Sequence, residues 1–154
     1  MHILVCEDQD SIRHMLQVLI RARGFRATTV ATGAQAIQVA AAAPPDVVLL
    51  DLMLPGDYDG LEVCRRLRLA PTTRHVPIVV VSALDDDDWR RKASQAGATA
   101  YYLKPFSPSA LLQEIDRLRP ASTRPQASSP STSSGPPPAS GTPPPKPAGK
   151  PTGR

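Results

Sequence analysis

The chain has 154 residues, of which 41% are hydrophobic, and it carries a formal net charge of +4. This length suits one compact domain with some excess, and the hydrophobic fraction is enough for a packed core. Residues 1–119 contain 14 basic and 14 acidic residues, so the positive charge comes entirely from four dispersed basic residues in the remainder. The charge is therefore too weak and scattered to indicate a nucleic-acid-binding surface.

Residues 120–154 contain no Val, Ile, Leu, Met or aromatic residue and are rich in Pro and Ser. Such a segment cannot bury enough apolar surface to offset the entropy lost on ordering. We predict a folded domain over residues 1–119 and a disordered Pro/Ser-rich tail over residues 120–154. The tail would be a tether, a polyproline II ligand for an aromatic groove, or a linker to a missing output domain.

The beginning of the chain lacks the features of a targeting segment. Residues 1–6 lead directly into acidic residues and have no basic n-region. No apolar run approaches the ~18 residues of a membrane span. Cys6 and Cys64 are unclustered, which is typical of small buried hydrophobes in a reducing compartment. We therefore predict a cytoplasmic protein with no membrane association.

Short apolar runs alternate with helical patterns five times along residues 1–119. The predicted strands cover residues 2–6, 26–30, 47–51, 77–82 and 100–103. The predicted helices cover residues 11–23, 33–43, 61–69, 88–96 and 107–118, with Asp10 and Thr32 as N-caps of the first two. The third and fourth strands are apolar almost throughout, as in strands covered on both faces. This alternation predicts an α/β domain with a parallel sheet and helices on both sides.

The carboxyl ends of the predicted strands carry a set of polar residues. In chain order they are Glu7, Asp8, Asp51, Ser82 and Lys104. In open α/β sheets, ligands bind outside this edge. Any one of these residues alone would be read as a helix cap, a turn or a solvated loop residue. All five at one edge of a sheet instead predict a shared site.

The chemistry of these residues favours a metal and a phosphoryl group. Clustered carboxylates raise each other's pKa values unless a cation compensates, and oxygen ligands alone suit Mg²⁺, or Mn²⁺. Lys104 supplies a fixed positive charge and Ser82 a hydroxyl donor. Carboxylates can form acyl phosphates, and Asp51 is the acid placed to be the nucleophile.

Four segments of the chain resemble the response-regulator receiver domain of two-component signalling, and together they span residues 1–119. The segments are Val5-Cys6-Glu7-Asp8, Asp51-Leu52-Met53-Leu54-Pro55-Gly56, Pro77-Ile78-Val79-Val80-Val81-Ser82-Ala83, and Gly97-Ala98 through Lys104-Pro105-Phe106. The resemblance implies a flavodoxin-like five-stranded parallel sheet of order 2-1-3-4-5, the order of a chemotaxis receiver.

The resemblance also implies a role for each site residue. Glu7, Asp8, Asp51 and the backbone carbonyl of Met53 would hold Mg²⁺. Asp51 would accept a phosphoryl group from a phosphohistidine of a sensor histidine kinase or phosphotransfer protein. Ser82 would hydrogen-bond the phosphate, and Lys104 would pair with it. The chain would act as a switch that promotes only its own phosphorylation and dephosphorylation, not as an enzyme with an external substrate.

The resemblance further implies how phosphorylation alters partner binding. Pro105 follows Lys104 through a peptide bond that is usually cis in the family. Tyr101 matches the aromatic residue that moves inward as Ser82 moves toward the phosphate. The altered face would consist of the fourth helix, the fifth strand and the fifth helix. The downstream partner is not identified by the sequence.

Two segments near the site have alternative interpretations. Residues 56–59 contain one residue more than the common family pattern, and we expect this insertion to bulge into solvent and not to approach the metal. The four acids Asp85–Asp88 are interpreted as capping a helix and interacting with its dipole, with contact to a basic partner as the alternative.

Three other functions are considered. A haloacid-dehalogenase-type phosphatase would need an acid two residues after the nucleophile, where this chain has Met53. A phosphorylation-independent adaptor is disfavoured by the intact set of site residues. The remaining alternative is a transcription factor that has lost its output domain, since residues 1–154 contain no recognisable helix-turn-helix.

Overall fold

The computed structural model describes residues 1–120, which contain a five-stranded sheet and five helices. The strands are β1 His2–Cys6, β2 Arg26–Val30, β3 Val47–Leu50, β4 Ile78–Ser82 and β5 Ala100–Leu103. All neighbouring strands are parallel, in the order β2-β1-β3-β4-β5. The predicted fold class and strand order are confirmed. The predicted disordered tail lies outside the described residues, apart from Pro120.

Five helices alternate with the strands and cover both faces of the sheet. They are α1 Asp10–Ala22, α2 Gly33–Ala42, α3 Gly60–Leu69, α4 Asp87–Ala96 and α5 Pro108–Arg117. Successive side chains of β1 pack into hydrophobic clusters on opposite faces of the sheet, because side chains alternate along a strand. Ile3 and Val5 pack with α1 and α5 residues, whereas Leu4 and Cys6 pack with residues of α2, α3 and α4. This two-sided burial explains the continuous apolar runs in the central strands.

The helix ends follow local sequence signals in most cases. The Thr32 side chain accepts a hydrogen bond from Gln35 N at the start of α2, as predicted. Gly97 ends α4 with φ of 109°, a left-handed conformation that glycine adopts without strain. The prediction of Asp10 as an N-cap is wrong by one residue. Gln9 occupies that position without a side-chain bond, and Asp10 lies in the first turn, where its carboxylate pairs with Arg13.

Across residues 1–120, the structure contains no helix that is both long and apolar enough to cross a membrane.

Candidate functional site

The residues at the carboxyl edge of the sheet are held there by hydrogen bonds that extend the strand ladders. After β1, β3 and β5, the next backbone N–H donates to a neighbouring strand. These bonds run from Glu7 N to Val30 O at 3.1 Å, from Asp51 N to Cys6 O at 3.0 Å and from Lys104 N to Ser82 O at 2.9 Å. The backbone at each site position is therefore fixed by the sheet and not by a free loop.

Three carboxylates converge at this edge. Glu7, Asp8 and Asp51 each offer an oxygen, and these oxygens lie within 4.8 Å of one another. Glu7 and Asp51 are buried, whereas Asp8 is exposed. A cluster of carboxylate oxygens open to solvent on one side fits a hard cation such as Mg²⁺, which retains several waters. The structure thus brings together the three acids that the sequence singled out.

Lys104 reaches into this cluster from the end of β5. Its Nζ donates to Glu7 Oε2 at 2.6 Å and to Asp51 Oδ2 at 2.8 Å. Desolvation works against the Lys104 charge, but the hydrogen bonds to Asp51 and Glu7 outweigh it and raise the lysine pKa. Burial raises the pKa of the Glu7 carboxyl, with the Lys104 hydrogen bond acting in the opposite direction. The ammonium group therefore stays charged and compensates two buried acids.

The backbone around Asp51 is tightly packed against the start of α3. Met53 N donates to Asp51 Oδ1 at 3.0 Å, and Gly60 N donates to Leu52 O at 3.0 Å. A Cβ atom at Gly60 would lie 2.2 Å from Asp51 O and 2.5 Å from Leu52 Cα. Only glycine permits this approach, so Gly60 helps to define where the Asp51 carboxylate points. The sequence analysis did not single out this residue.

The carboxylates open into a polar cleft of about 220 Å³. Its lining residues are Asp8, Gln9, Asp51, Met53, Ala83 and Lys104. The lining thus includes two of the three acids together with Lys104. It also includes Met53, whose backbone carbonyl was expected to be a metal ligand. The small size of the cleft and its three charged lining residues suit a small charged group.

Ser82 and Tyr101 meet at one residue that the sequence analysis did not identify, Leu84. The buried Ser82 Oγ accepts a hydrogen bond from Leu84 N at 3.2 Å, and the Tyr101 hydroxyl donates to Leu84 O at 2.6 Å. The Arg90 guanidinium lies 4.9 Å from the centre of the Tyr101 ring. Burial raises the pKa of Tyr101, and the nearby Ser82 hydroxyl and Arg90 charge oppose this rise. The Lys104–Pro105 peptide is cis, as the resemblance implied.

Arg13 on α1 is a further residue beside the site. Its Nη1 donates to Glu7 O at 3.0 Å and to Asp8 O at 3.3 Å, and its guanidinium also pairs with Asp10. These contacts fix the loop between β1 and α1, which carries two of the three acids. Arg13 was not predicted as a site residue, because the sequence analysis considered only residues at the ends of strands and Arg13 lies in a helix. The signal was a basic residue at the start of the helix that follows two acids.

The insertion after Asp51 is partly packed. Asp57 is exposed, in line with a bulge, but Tyr58 is half-buried against the core and lies 4.3 Å from the Arg66 guanidinium. The Asp59 side chain caps α3 by accepting a hydrogen bond from Glu62 N at 2.8 Å. The insertion therefore contributes an aromatic contact and a helix cap, and none of its acids joins the carboxylate cluster within the described residues.

Comparison with known proteins identifies the family. A sequence model of the response regulator receiver domain matches residues 3–116. The chain belongs to this family, and its receiver domain indicates phosphorylation-dependent two-component signalling. The family resemblance inferred from the motifs is confirmed.

Curated relatives include two longer response regulators. "Response regulator PleD" of Caulobacter vibrioides is 36% identical over 116 residues, which cover 75% of this chain and 25% of PleD. "DNA-binding response regulator MtrA" of Mycolicibacterium smegmatis is 39% identical over 113 residues, which cover 73% of this chain and 48% of MtrA. The chain thus spans between a quarter and about half the length of these relatives.

Solved structures include the receiver domain of the sensor histidine kinase PA1611 from Pseudomonas aeruginosa, with a magnesium ion coordinated in its active site cleft. It superimposes with a TM-score of 0.71 and 32% identity, covering 76% of this chain and 95% of that domain. Receiver domains bind Mg²⁺ at an acidic site, and this chain has three carboxylates with oxygens within 4.8 Å of one another.

Proposed function

We propose that this chain is a response regulator in which Asp51 accepts a phosphoryl group from the phosphohistidine of a sensor histidine kinase or phosphotransfer protein. One observation carries the proposal. The Asp51 carboxylate lies at an open polar cleft, beside two further carboxylates and in contact with the Lys104 ammonium. In this proposal residues 1–119 form the receiver domain, and residues 120–154 form a tether or linker.

The metal site would consist of oxygen ligands only. Glu7, Asp8, Asp51 and the backbone carbonyl of Met53 would hold Mg²⁺, and Mn²⁺ would accept the same ligands. A bound divalent cation would offset the charge of the three acids and of the phosphoryl oxygens. The exposed Asp8 lies on the solvent side of the cluster, so it leaves the cleft open to a phosphoryl donor.

The phosphoryl group would pass from one nucleophile, the imidazole of the donor histidine, to another, the Asp51 carboxylate. One Asp51 oxygen forms a bond to phosphorus as the phosphorus–nitrogen bond to the donor histidine breaks, and the bonding electron pair returns to the imidazole. Lys104, which now contacts Asp51 Oδ2, is within reach of the oxygens of an attached phosphoryl group. Hydrolysis of the acyl phosphate would later restore the carboxylate. The chain would thus turn over only its own phosphoryl group.

The switch would begin at Ser82. Its Oγ now accepts from Leu84 N, and donating its proton to a phosphoryl oxygen would break or shift this contact. The Tyr101 hydroxyl donates a hydrogen bond to Leu84 O, so a movement of Leu84 would also move the aromatic ring. Pro105 follows Lys104 and connects the site to α5. The altered surface would comprise α4, β5 and α5, where a downstream protein would bind.

Nucleic-acid binding is not proposed for this chain. MtrA is named as a DNA-binding response regulator, but this chain matches less than half of its length. The basic and acidic residues of positions 1–119 are equal in number.

Labelling with acetyl phosphate tests the proposal. Wild-type protein with Mg²⁺ should gain one phosphoryl group, and chelation of the metal should prevent this gain. Asp51→Asn should remain unlabelled, because an amide cannot form the acyl phosphate. Asp116→Asn on α5 is the matched control and should be labelled normally. Labelling that persists in Asp51→Asn would exclude Asp51 as the acceptor.

A further inference from the structure

A second cleft, of about 380 Å³, lies next to the phosphoryl-accepting site. It is formed by the loop after β3 and the loop before α4, and we call it the Met53–Trp89 groove. Its lining residues are Leu52, Met53, Leu54, Asp59, Leu84 and Trp89. Five of these six residues are apolar. The groove is within the size range of pockets that bury a ligand group.

Part of the apolar lining is accessible to a partner. Met53 is 59% exposed and Leu84 and Trp89 are half-buried, whereas Leu52 and Leu54 are buried. A concave apolar surface with partly exposed large side chains is typical of an interaction site. Methionine adapts its shape readily, which suits the binding of an apolar side chain from another molecule.

The rim of the groove is acidic. The exposed run Asp85–Asp88 joins Leu84 to Trp89, two lining residues, and Asp59 lines the groove from the opposite loop. Arg90, Arg91 and Lys92 make ion pairs with Asp85 and Asp88 only. Among residues 1–120, Asp87 makes no ion pair. The rim therefore retains negative charge that a cationic partner would complement.

We infer that the Met53–Trp89 groove is a docking site for a protein segment that carries a large apolar side chain flanked by Lys or Arg. The apolar side chain fills the groove between Met53 and Trp89. The basic residues face the acidic rim, which excludes acidic segments and orients basic ones. The groove includes Trp89 in the first turn of α4, but no residue of β5 or α5 lines it.

Docking is coupled to the phosphoryl-accepting site through two backbone contacts, and this part of the inference rests on the proposed function. On one side, Met53 N donates to Asp51 Oδ1 at 3.0 Å. On the other side, Leu84 N donates to Ser82 Oγ at 3.2 Å. A phosphoryl group on Asp51 competes for both contacts, so it shifts both sides of the groove. The partner's affinity therefore depends on the state of Asp51.

Trp89 is the only tryptophan of the chain, so its fluorescence reports on the groove directly. The probe is a short synthetic peptide with two central leucines flanked by arginines, titrated into the full chain at low salt. One matched peptide has serines for the leucines, and another has glutamates for the arginines. We expect binding of the first peptide and at least roughly tenfold weaker binding of each matched peptide.

Equal binding of the serine peptide would overturn the inference, because the contact would then be electrostatic only. Equal binding of the glutamate peptide would overturn the role of the acidic rim. No binding of the leucine–arginine peptide, or self-association of the chain through the groove in sedimentation measurements, would overturn the proposed occupant.

Two variants locate the binding site. The double variant Asp85→Asn with Asp87→Asn should weaken binding of the leucine–arginine peptide by about threefold to tenfold. The matched control Asp116→Asn lies in the last turn of α5, at the opposite edge of the sheet, and should bind as wild type. Equal weakening in both would overturn the assignment, since any lost acid would then have the same effect.

The coupling is tested by repeating the titration with beryllofluoride and Mg²⁺. We expect the peptide affinity to change by about fivefold or more. An unchanged affinity in a protein that takes up beryllofluoride would overturn the coupling while leaving Asp51 as the phosphoryl acceptor. Labelling with acetyl phosphate does not depend on the peptide. Failure of Asp51 phosphorylation can therefore be distinguished from failure of docking in the Met53–Trp89 groove.

Discussion

Lys104 Nζ lies 2.8 Å from Asp51 Oδ2, although 53 positions separate the two residues in the sequence. The same nitrogen lies 2.6 Å from Glu7 Oε2. The lysine therefore joins the ends of β1, β3 and β5 in one electrostatic contact. The side chains of Lys104 and Asp51 are only 13% and 6% exposed, so solvent screens this contact weakly.

Lys104→Met should destabilise the fold when no divalent cation is present. Two buried carboxylates would lose their compensating charge, at a cost of about 2–3 kcal/mol in the free energy of unfolding. Added Mg²⁺ should recover part of this loss. The matched control Lys92→Met removes an exposed lysine paired with Asp88 and should cost less than about 0.5 kcal/mol. Equal losses in urea unfolding would contradict this account of the Lys104 contact.

Arg13→Ala should weaken binding of Mg²⁺ by about tenfold, because the loop that carries Glu7 and Asp8 loses its anchor. The measurement is the Mg²⁺ concentration that gives a half-maximal rise in thermal unfolding temperature, since a ligand that binds only the folded chain stabilises it. Arg21→Ala, at an exposed position in the last turn of α1, is the control. An unchanged Mg²⁺ dependence in Arg13→Ala would show that the loop needs no such anchor.

Gly60→Ala should lower stability by about 2–3 kcal/mol and also slow phosphorylation, because the new Cβ clashes with the backbone of Asp51 and Leu52. Gly56→Ala is a useful comparison. Gly56 has φ of 91° with open space around it, so alanine there costs roughly 1–2 kcal/mol through backbone strain alone. Phosphorylation rates from acetyl phosphate separate the two cases. Normal phosphorylation of Gly60→Ala would contradict the positioning role.

Both cysteines should be unreactive in the folded protein. Burial raises the pKa of Cys6 to about 12, with further contributions from Asp51, Glu7 and Asp8, and burial raises the pKa of Cys64 to about 11. At pH 8 the thiolate fraction of Cys6 is then about one in ten thousand. Thiol labelling should become rapid only in denaturant. Fast labelling of Cys6 in the native chain would contradict its buried position.

Much of the fold follows from local sequence patterns. The apolar runs of β3 and β4 predicted central strands, and Thr32 marked a helix start that the structure shows. The convergence of Glu7, Asp51 and Lys104 was predictable because parallel strands end at one edge. The strand order itself came from the family resemblance and not from residue patterns.

Other features depend on distances that no local pattern contains. The close approach of Gly60 to Asp51 O, the contact of Arg13 with Glu7 O and the meeting of Ser82 and Tyr101 at Leu84 each arise only when separate elements pack. The Asp10 prediction failed for a local reason. An acid at either the cap or the first turn interacts favourably with the helix dipole, so its charge does not distinguish the two positions.

The central claim is that Asp51 forms the acyl phosphate, and chemical mapping of the modified residue tests it most directly. Borohydride reduces an aspartyl phosphate to homoserine, which can be located by peptide sequencing in the mass spectrometer after treatment with acetyl phosphate and Mg²⁺. The account predicts homoserine at position 51 and at no other acid. Homoserine at position 8, or none in a chain that has gained phosphate, would contradict it.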